Sequence, residues 1–179
     1  MNRHAVSIPA DGRHRYTLRV YYEDTDAGGV VYHATYLRFA ERARTEALRD
    51  AGIPHAELLA NHGVMFMVRR IEVDYLRPAR LDDSLTIVTE PLVVGGASAT
   101  LRQDVLGPDG PCAILTVRLA CVKPGDGRPG RLPQRWRALL TVRLACVRQV
   151  EGKPGRLPQR WRAVLTDMCN AAAAARNRG

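Results

Sequence analysis

The sequence predicts an α+β fold in which an antiparallel sheet wraps around one long helix. Three observations carry that prediction. One helical pattern, at residues 34–51, follows a single strand-like run. Four strand-like runs then occupy residues 64–122. Short glycine-rich turns separate the last three runs, so these strands pair as antiparallel hairpins.

The elements follow in order. Residues 16–22 read as a strand, because Tyr16, Thr17, Val20, Tyr21 and Tyr22 are β-formers. Ala27-Gly28-Gly29 reads as a turn. The helix predicted at 34–51 places Tyr36, Phe39/Ala40, Ala43, Ala47 and Ala51 on one face at 3–4 spacing. Its small residues predict close approach to a sheet. Arg42 and Glu46 stand one turn apart as an expected ion pair. Gly52 and Pro54 stop the helix. Residues 64–76 alternate, with Ile71, Val73 and Tyr75 on one face and Arg70, Glu72 and Asp74 on the other. Further strands are expected at 84–94, 98–106 and 112–122, with turns at Gly95-Gly96 and Gly107-Pro108-Asp109-Gly110.

A tandem repeat follows. Residues 115–139 and 140–164 match at 19 of 25 positions. Solenoids need at least three units, so two near-identical copies read as a duplicated segment and carry no function of their own. Only one copy can fill the last strand, and the first, at 117–122, follows directly from the preceding turn. Residues 134–151 hold neither Gly nor Pro, and Pro133 suits a first helical position. A helix is therefore expected over 133–150, with a second from about Pro158 into the Ala171–Ala175 run. The division that results is an N-terminal segment at 1–15, one domain at 16–132, and a C-terminal helical extension at 133–179.

Composition narrows the function. A chain of 179 residues with 46% hydrophobic and 25% charged residues is sized and composed as one globular domain. The N-terminal residues lack an apolar core for a signal peptide, and no apolar run is long enough to span a bilayer. Cytoplasmic location is the expectation. Cys112, Cys121, Cys146 and Cys169 show no C-x-x-C spacing, so no metal site and free thiols are expected. The net charge of +9 is concentrated in residues 115–179, which hold 14 Lys and Arg against 3 Asp and Glu. Such a surface suits an anionic partner: CoA phosphates, an acyl carrier protein, or an anionic membrane surface at the inner membrane. Nucleic acid fits less well, since aromatics are few and no nucleic-acid-binding signature is present.

The chemistry concentrates between the first strand and the helix. Asp24 and Asp26 alternate with Thr25, so an extended segment would set both carboxylates on one side. A calcium loop starting at Asp24 fails at its twelfth position, which is Thr35. Capping of a turn or helix start is the plainer reading of the aspartates, and helix capping that of His33. Together with Gly28-Gly29 and the helix onset, a further reading opens. Helix-start N–H groups and the positive end of the dipole would polarise a carbonyl oxygen. Asp26 would then attack the carbonyl or activate water. Rival hydrolytic sites are poorly supplied. Ser7, Ser84 and Ser98 lie in no G-x-S-x-G, and there is no P-loop or G-x-G-x-x-G after a strand.

The stretch Val20-Tyr21-Tyr22-Glu23-Asp24-Thr25-Asp26-Ala27-Gly28-Gly29-Val30-Val31-Tyr32-His33 closely resembles the YbgC-type acyl-CoA thioesterases associated with the Tol-Pal system. These belong to the hotdog-fold group that includes 4-hydroxybenzoyl-CoA thioesterase. The match continues through residues 39–46, 73–83, 120–122 and 131–133, and covers roughly residues 16–140. The resemblance implies a hotdog fold, a five-stranded antiparallel sheet around the central helix. It implies hydrolysis of acyl-CoA without a cofactor, and dimers or tetramers with active sites between subunits. It places catalysis on Asp26, with His33 and Tyr22 as the accompanying histidine and tyrosine. It places the amide that polarises the thioester near His33. Arg77 and Arg80 are weaker expectations for the CoA phosphates. A hotdog hydratase or dehydratase, and a low-turnover scaffold for acyl carrier protein or phospholipid-synthesis enzymes, are the alternatives.

Overall fold

The structure, a computed structural model, describes residues 10–150. It contains β1 (His14–Arg19), α1 (Thr35–Asp50), α2 (His55–His62), β2 (Met65–Tyr75), β3 (Ser84–Val94), β4 (Ser98–Gly107), β5 (Gly110–Val122) and α3 (Gln134–Val150). One five-stranded sheet has the order β1-β3-β4-β5-β2, with every pair antiparallel. The α+β, hotdog-like expectation is met. The anticipated second helix from Pro158 lies outside the described residues.

The expected face of α1 is the buried one: Tyr36, Phe39, Ala40, Ala43 and Ala47 all sit in the core. Three alanines on that face let the helix axis lie close to β3 and β4, and Phe39 fills the space beside them. Burial of Phe39 alone contributes about 2–3 kcal/mol. The helix ends in a Schellman motif. The Gly52 N–H donates to Arg49 O, the Ile53 N–H donates to Leu48 O, and Gly52 takes the left-handed φ of 68° that the motif needs. The expected Arg42–Glu46 pair does not form. Glu46 pairs with Arg49 instead, which reaches it from the next turn.

A buried polar network ties α1 to the sheet. Arg44 Nη1 donates to Gln103 Oε1 at 2.7 Å, and Arg44 also pairs with Glu41. Gln103 Nε2 in turn donates to Ala40 O and Thr89 Oγ1. Every group in this chain of contacts has a partner, which is the condition for tolerating a buried guanidinium.

Three differences from the expectations have local causes. The first strand ends at Arg19 rather than Tyr22. Tyr22–Asp24 forms a 3₁₀ turn instead, closed on both sides: the Asp24 N–H donates to Tyr21 O at 3.0 Å and the Asp24 carboxylate accepts the Tyr21 N–H at 2.9 Å. α2 was not anticipated: it is only eight residues long, and Pro54, read as a stop, is its N-cap. α3 does begin at Gln134 and carries residues 142–147, the second copy of the β5 hexapeptide, in helical form. This helix packs onto the domain. Trp136 and Leu139 join Leu58, Ile53 and Cys121 in a second apolar cluster at one end of α1. No helix among the described residues is long and apolar enough to cross a membrane.

Candidate active site

The segment between β1 and α1 is held by backbone bonds at each step. The Asp26 N–H donates to Val30 O and the Gly29 N–H donates to Asp26 O, both at 2.9 Å. Gly29 takes φ of 70°, completing a three-residue hairpin loop of the glycine-bulge type. Thr25 and Val31 pair across this small hairpin, and Val30 pairs with Arg80. The Val31 N–H then donates to Ala79 O, and the Tyr32 N–H to Asp24 O. Thr35 donates to Tyr32 O as α1 begins.

The two aspartates do not share a side. Asp24 is buried and spends its carboxylate on the Tyr21 N–H. Asp26 is exposed at the tip of the hairpin. Its Oδ1 accepts the Gly28 N–H at 2.8 Å, and its Oδ2 makes no hydrogen bond among the described residues. A Cβ on Gly28 would stand 3.0 Å from Oδ1, so the glycine gives the carboxylate room to fold over the turn. A structural aspartate and an available one thus lie two residues apart.

His33 is exposed and immediately precedes the N-cap, Ala34, which provides no side-chain cap. The His33 ring therefore does not cap the helix. It stands against Tyr32 at 4.3 Å between ring centroids and meets the edge of Tyr75 at 6.5 Å. The Tyr75 hydroxyl donates to the His33 carbonyl at 2.9 Å. Desolvation raises the Tyr75 phenol above its ordinary pKa. Tyr36 fixes the helix start from beneath by accepting the Ala79 N–H at 3.0 Å. In the first turn of α1 the Thr35 N–H is taken by Tyr32 O and the Leu37 N–H by Ala34 O, so the Ala34 and Tyr36 N–H groups are the ones without a backbone partner among the described residues, and the dipole adds about half a positive charge there.

The fold thus brings Asp26 and His33 to the two ends of one stitched segment at the start of α1. Tyr22 sits on the 3₁₀ turn before them with 83% of its surface exposed, and no contact joins its side chain to either. Arg77 is drawn to the β4–β5 turn, where its guanidinium bonds the Asp109 carbonyl. Arg80 is exposed beside Val30, with no ion pair among the described residues. Tyr75, which the sequence shows only as a strand residue, is the additional member of the site. Cys112 and Cys121 are buried and their thiols are pushed up by burial, so neither is a ready nucleophile. Among the described residues, no group of three or more His, Cys, Asp or Glu could hold a metal ion.

Residues 28–114 match the family described as Thioesterase superfamily. The chain is 42% identical to the acyl-CoA thioesterase YbgC of Haemophilus influenzae over 128 residues, 72% of this chain and 94% of that protein. It is 46% identical to the acyl-CoA thioester hydrolase YbgC of Escherichia coli over 123 residues, 67% of this chain and 90% of that protein. Among solved structures, a probable thioesterase from Bartonella henselae superposes with a TM-score of 0.64 at 39% identity, covering 68% of this chain and 99% of that one. The DHNA-CoA thioesterase of Staphylococcus aureus superposes at 0.70 with 20% identity, over 82% of this chain and 99% of that one, and shows the shared fold.

Proposed function

The chain belongs to the YbgC-type acyl-CoA thioesterases of the thioesterase superfamily, and from that membership we propose how its residues hydrolyse an acyl-CoA to the free acid and CoA. The observation that carries the reading is the placement of Asp26: an exposed carboxylate on a glycine turn, with one oxygen available, in the segment that leads into α1. The thioester carbonyl oxygen lies against the N–H groups at the helix start, near His33, where the dipole stabilises developing negative charge. Asp26 either takes a proton from the attacking water or attacks the carbonyl carbon itself, forming an anhydride that water then opens. In both routes the carbon–sulfur bond breaks and the thiolate leaves as CoA thiol after protonation. His33 orients these groups, and Tyr75 holds the His33 backbone in place. Arg80, with no ion pair among the described residues and beside the Asp26 turn, is the better residue for a CoA phosphate, since the Arg77 guanidinium is engaged by the Asp109 carbonyl. An acyl group carried on acyl carrier protein offers the same thioester, and the cytoplasm is the place of action.

Thiol release from saturated acyl-CoAs tests the activity. Free thiol and free acid are expected in equal amounts. Release of neither from any of a broad panel would contradict the reading. Hydration of an enoyl-CoA without thiol release would assign a hydratase instead.

We also propose that the active form is an oligomer joined at β2. This edge strand leaves one side of its ladder unpaired and exposes Met65, Met67, Val68 and Tyr75, with Leu76 just beyond. Unprotected apolar edges of this kind invite pairing. Light scattering should give a multiple of 19.8 kDa. A stable, active monomer of that mass would refute the proposal.

A further inference from the structure

We propose that Tyr36 is a positioning residue for the reaction: through Ala79 its hydroxyl locks the start of α1 to the Asp26 hairpin, and so sets the spacing between the Asp26 carboxylate and a carbonyl held at the helix start. The inference rests on the thioesterase reading, and deepens it by naming what keeps the two halves of the site in register.

The two halves lie on different segments. Asp26 stands at the tip of the small hairpin that the Thr25–Val31 pair closes, and α1 begins at Thr35. Residues 32–34 join them. The bonds from the Tyr32 N–H to Asp24 O and from the Thr35 N–H to Tyr32 O hold this joint locally, but neither runs from the hairpin to the body of α1. Ala79 supplies that link. It is fully buried, and both of its backbone polar groups are used. Its N–H donates to Tyr36 Oη at 3.0 Å, and its carbonyl accepts the Val31 N–H at 2.8 Å. Arg80 extends the link by pairing with Val30. One buried residue thus bridges the helix and the hairpin.

The bridge is rigid at both ends. The loop that carries Ala79 is tied to the end of β1, because the Val20 N–H donates to Asp83 O at 2.9 Å and the Asp82 N–H donates to Val20 O at 3.1 Å. Tyr36 is only 3% exposed and stands edge-on to Phe39 and Tyr75, at 6.4 and 5.6 Å between ring centroids. Phenylalanine would fill the same space, so what tyrosine adds at this buried position is the oxygen that accepts the Ala79 N–H. Tyr75, against which Tyr36 packs, holds the His33 carbonyl at the other side of the helix start.

Tyr36→Phe keeps the ring and its packing. It removes the acceptor and leaves the Ala79 N–H buried without a partner, so the bridge is the contact that gives way. Reaction rates depend steeply on such spacing, since a misplacement of about 1 Å costs about a hundredfold. The buried hydroxyl is not offered to substrate, so binding should change little. The expected result is a fall in kcat of about ten- to a hundredfold, with KM within about threefold of wild type.

The test measures kcat and KM of the full chain on one saturated acyl-CoA, for Tyr36→Phe in the wild-type and Asp26→Asn backgrounds, with circular dichroism to confirm folding. Without the Asp26 carboxylate there is nothing left to place, so Tyr36→Phe should lower the residual rate of Asp26→Asn by no more than about threefold. A merely structural role would give the same fractional loss in both backgrounds, and that result would overturn the proposal. Amide hydrogen exchange reads the bridge without any turnover. The Val31 N–H, whose own bond is untouched by the substitution, should lose protection together with Ala79 while the interior of α1 keeps it. Retained protection at Val31 would overturn the proposal. A slow Asp26→Asn protein beside a Tyr36→Phe protein with wild-type kcat would overturn the positioning role and leave the thioesterase reading in place. Release of no thiol by the wild-type chain would overturn both.

Discussion

Leu119→Pro is expected to abolish folding, whereas Leu144→Pro, at the same position of the second repeat, is expected to leave the sheet intact. Leu119 lies in β5, between β4 and β2, opposite Ala99 on one side and Val68 on the other. Its side chain is in the core. Proline there removes a donor from an interior strand, clashes with the ladder, and deletes a buried leucine whose truncation alone costs about 2–5 kcal/mol. With the lost ladder hydrogen bond added, the loss becomes comparable with the whole stability of an ordinary domain. Leu144 lies in α3 one turn after Leu140, and Trp136, Leu139 and Leu140 are the α3 members of the second cluster among the described side chains. Proline there costs about 3 kcal/mol and unwinds the turn around it. Circular dichroism and thermal melting of the two variants check this. A folded Leu119→Pro protein beside an unfolded Leu144→Pro protein would mean that the second copy supplies the strand.

The repeat shows how far context outweighs local sequence. Val117–Val122 is strand and Val142–Val147 is helix, with identical residues. Arg118 is exposed on β5, while its counterpart Arg143 is buried beside Asp50, with Nε and Nη2 unpartnered among the described residues. What distinguished the copies in the sequence was connection: a short turn delivers the first to the sheet, and no Gly or Pro interrupts the approach to the second. The buried stripe of α1 was legible for a similar reason, since five residues at helical spacing report one face. α2 was not, because eight residues after a proline give too few turns to establish a period.

The site was legible as a segment more than as a set of side chains. Gly28-Gly29 and the helix onset announced a turn aimed at a helix start, and the hairpin is there. The sequence could not separate the roles of Asp24 and Asp26, because alternation assumes an extended chain and the 3₁₀ turn breaks it. Tyr75 was invisible as a site residue, since its contact with His33 spans 42 positions. Arg77 looked free for a phosphate, and only the folded β4–β5 turn brings the Asp109 carbonyl to it.

Asp26→Asn carries the second of the large expected effects and bears most directly on the mechanism. The substitution keeps size and shape, and an amide oxygen can still accept the Gly28 N–H, so the hairpin should hold. It removes the negative charge and the basicity that both routes require. Turnover of acyl-CoA should fall by about 10²–10⁴-fold with the fold unchanged. His33→Ala should cost less, because an orienting group is partly replaced by the backbone contacts that already fix the helix start. The deciding measurement is the rate of thiol release by folded Asp26→Asn relative to wild type on one saturated acyl-CoA. A residual rate of about one hundredth or less is expected. A residual rate above about a tenth would contradict it, and would move the chemistry away from Asp26.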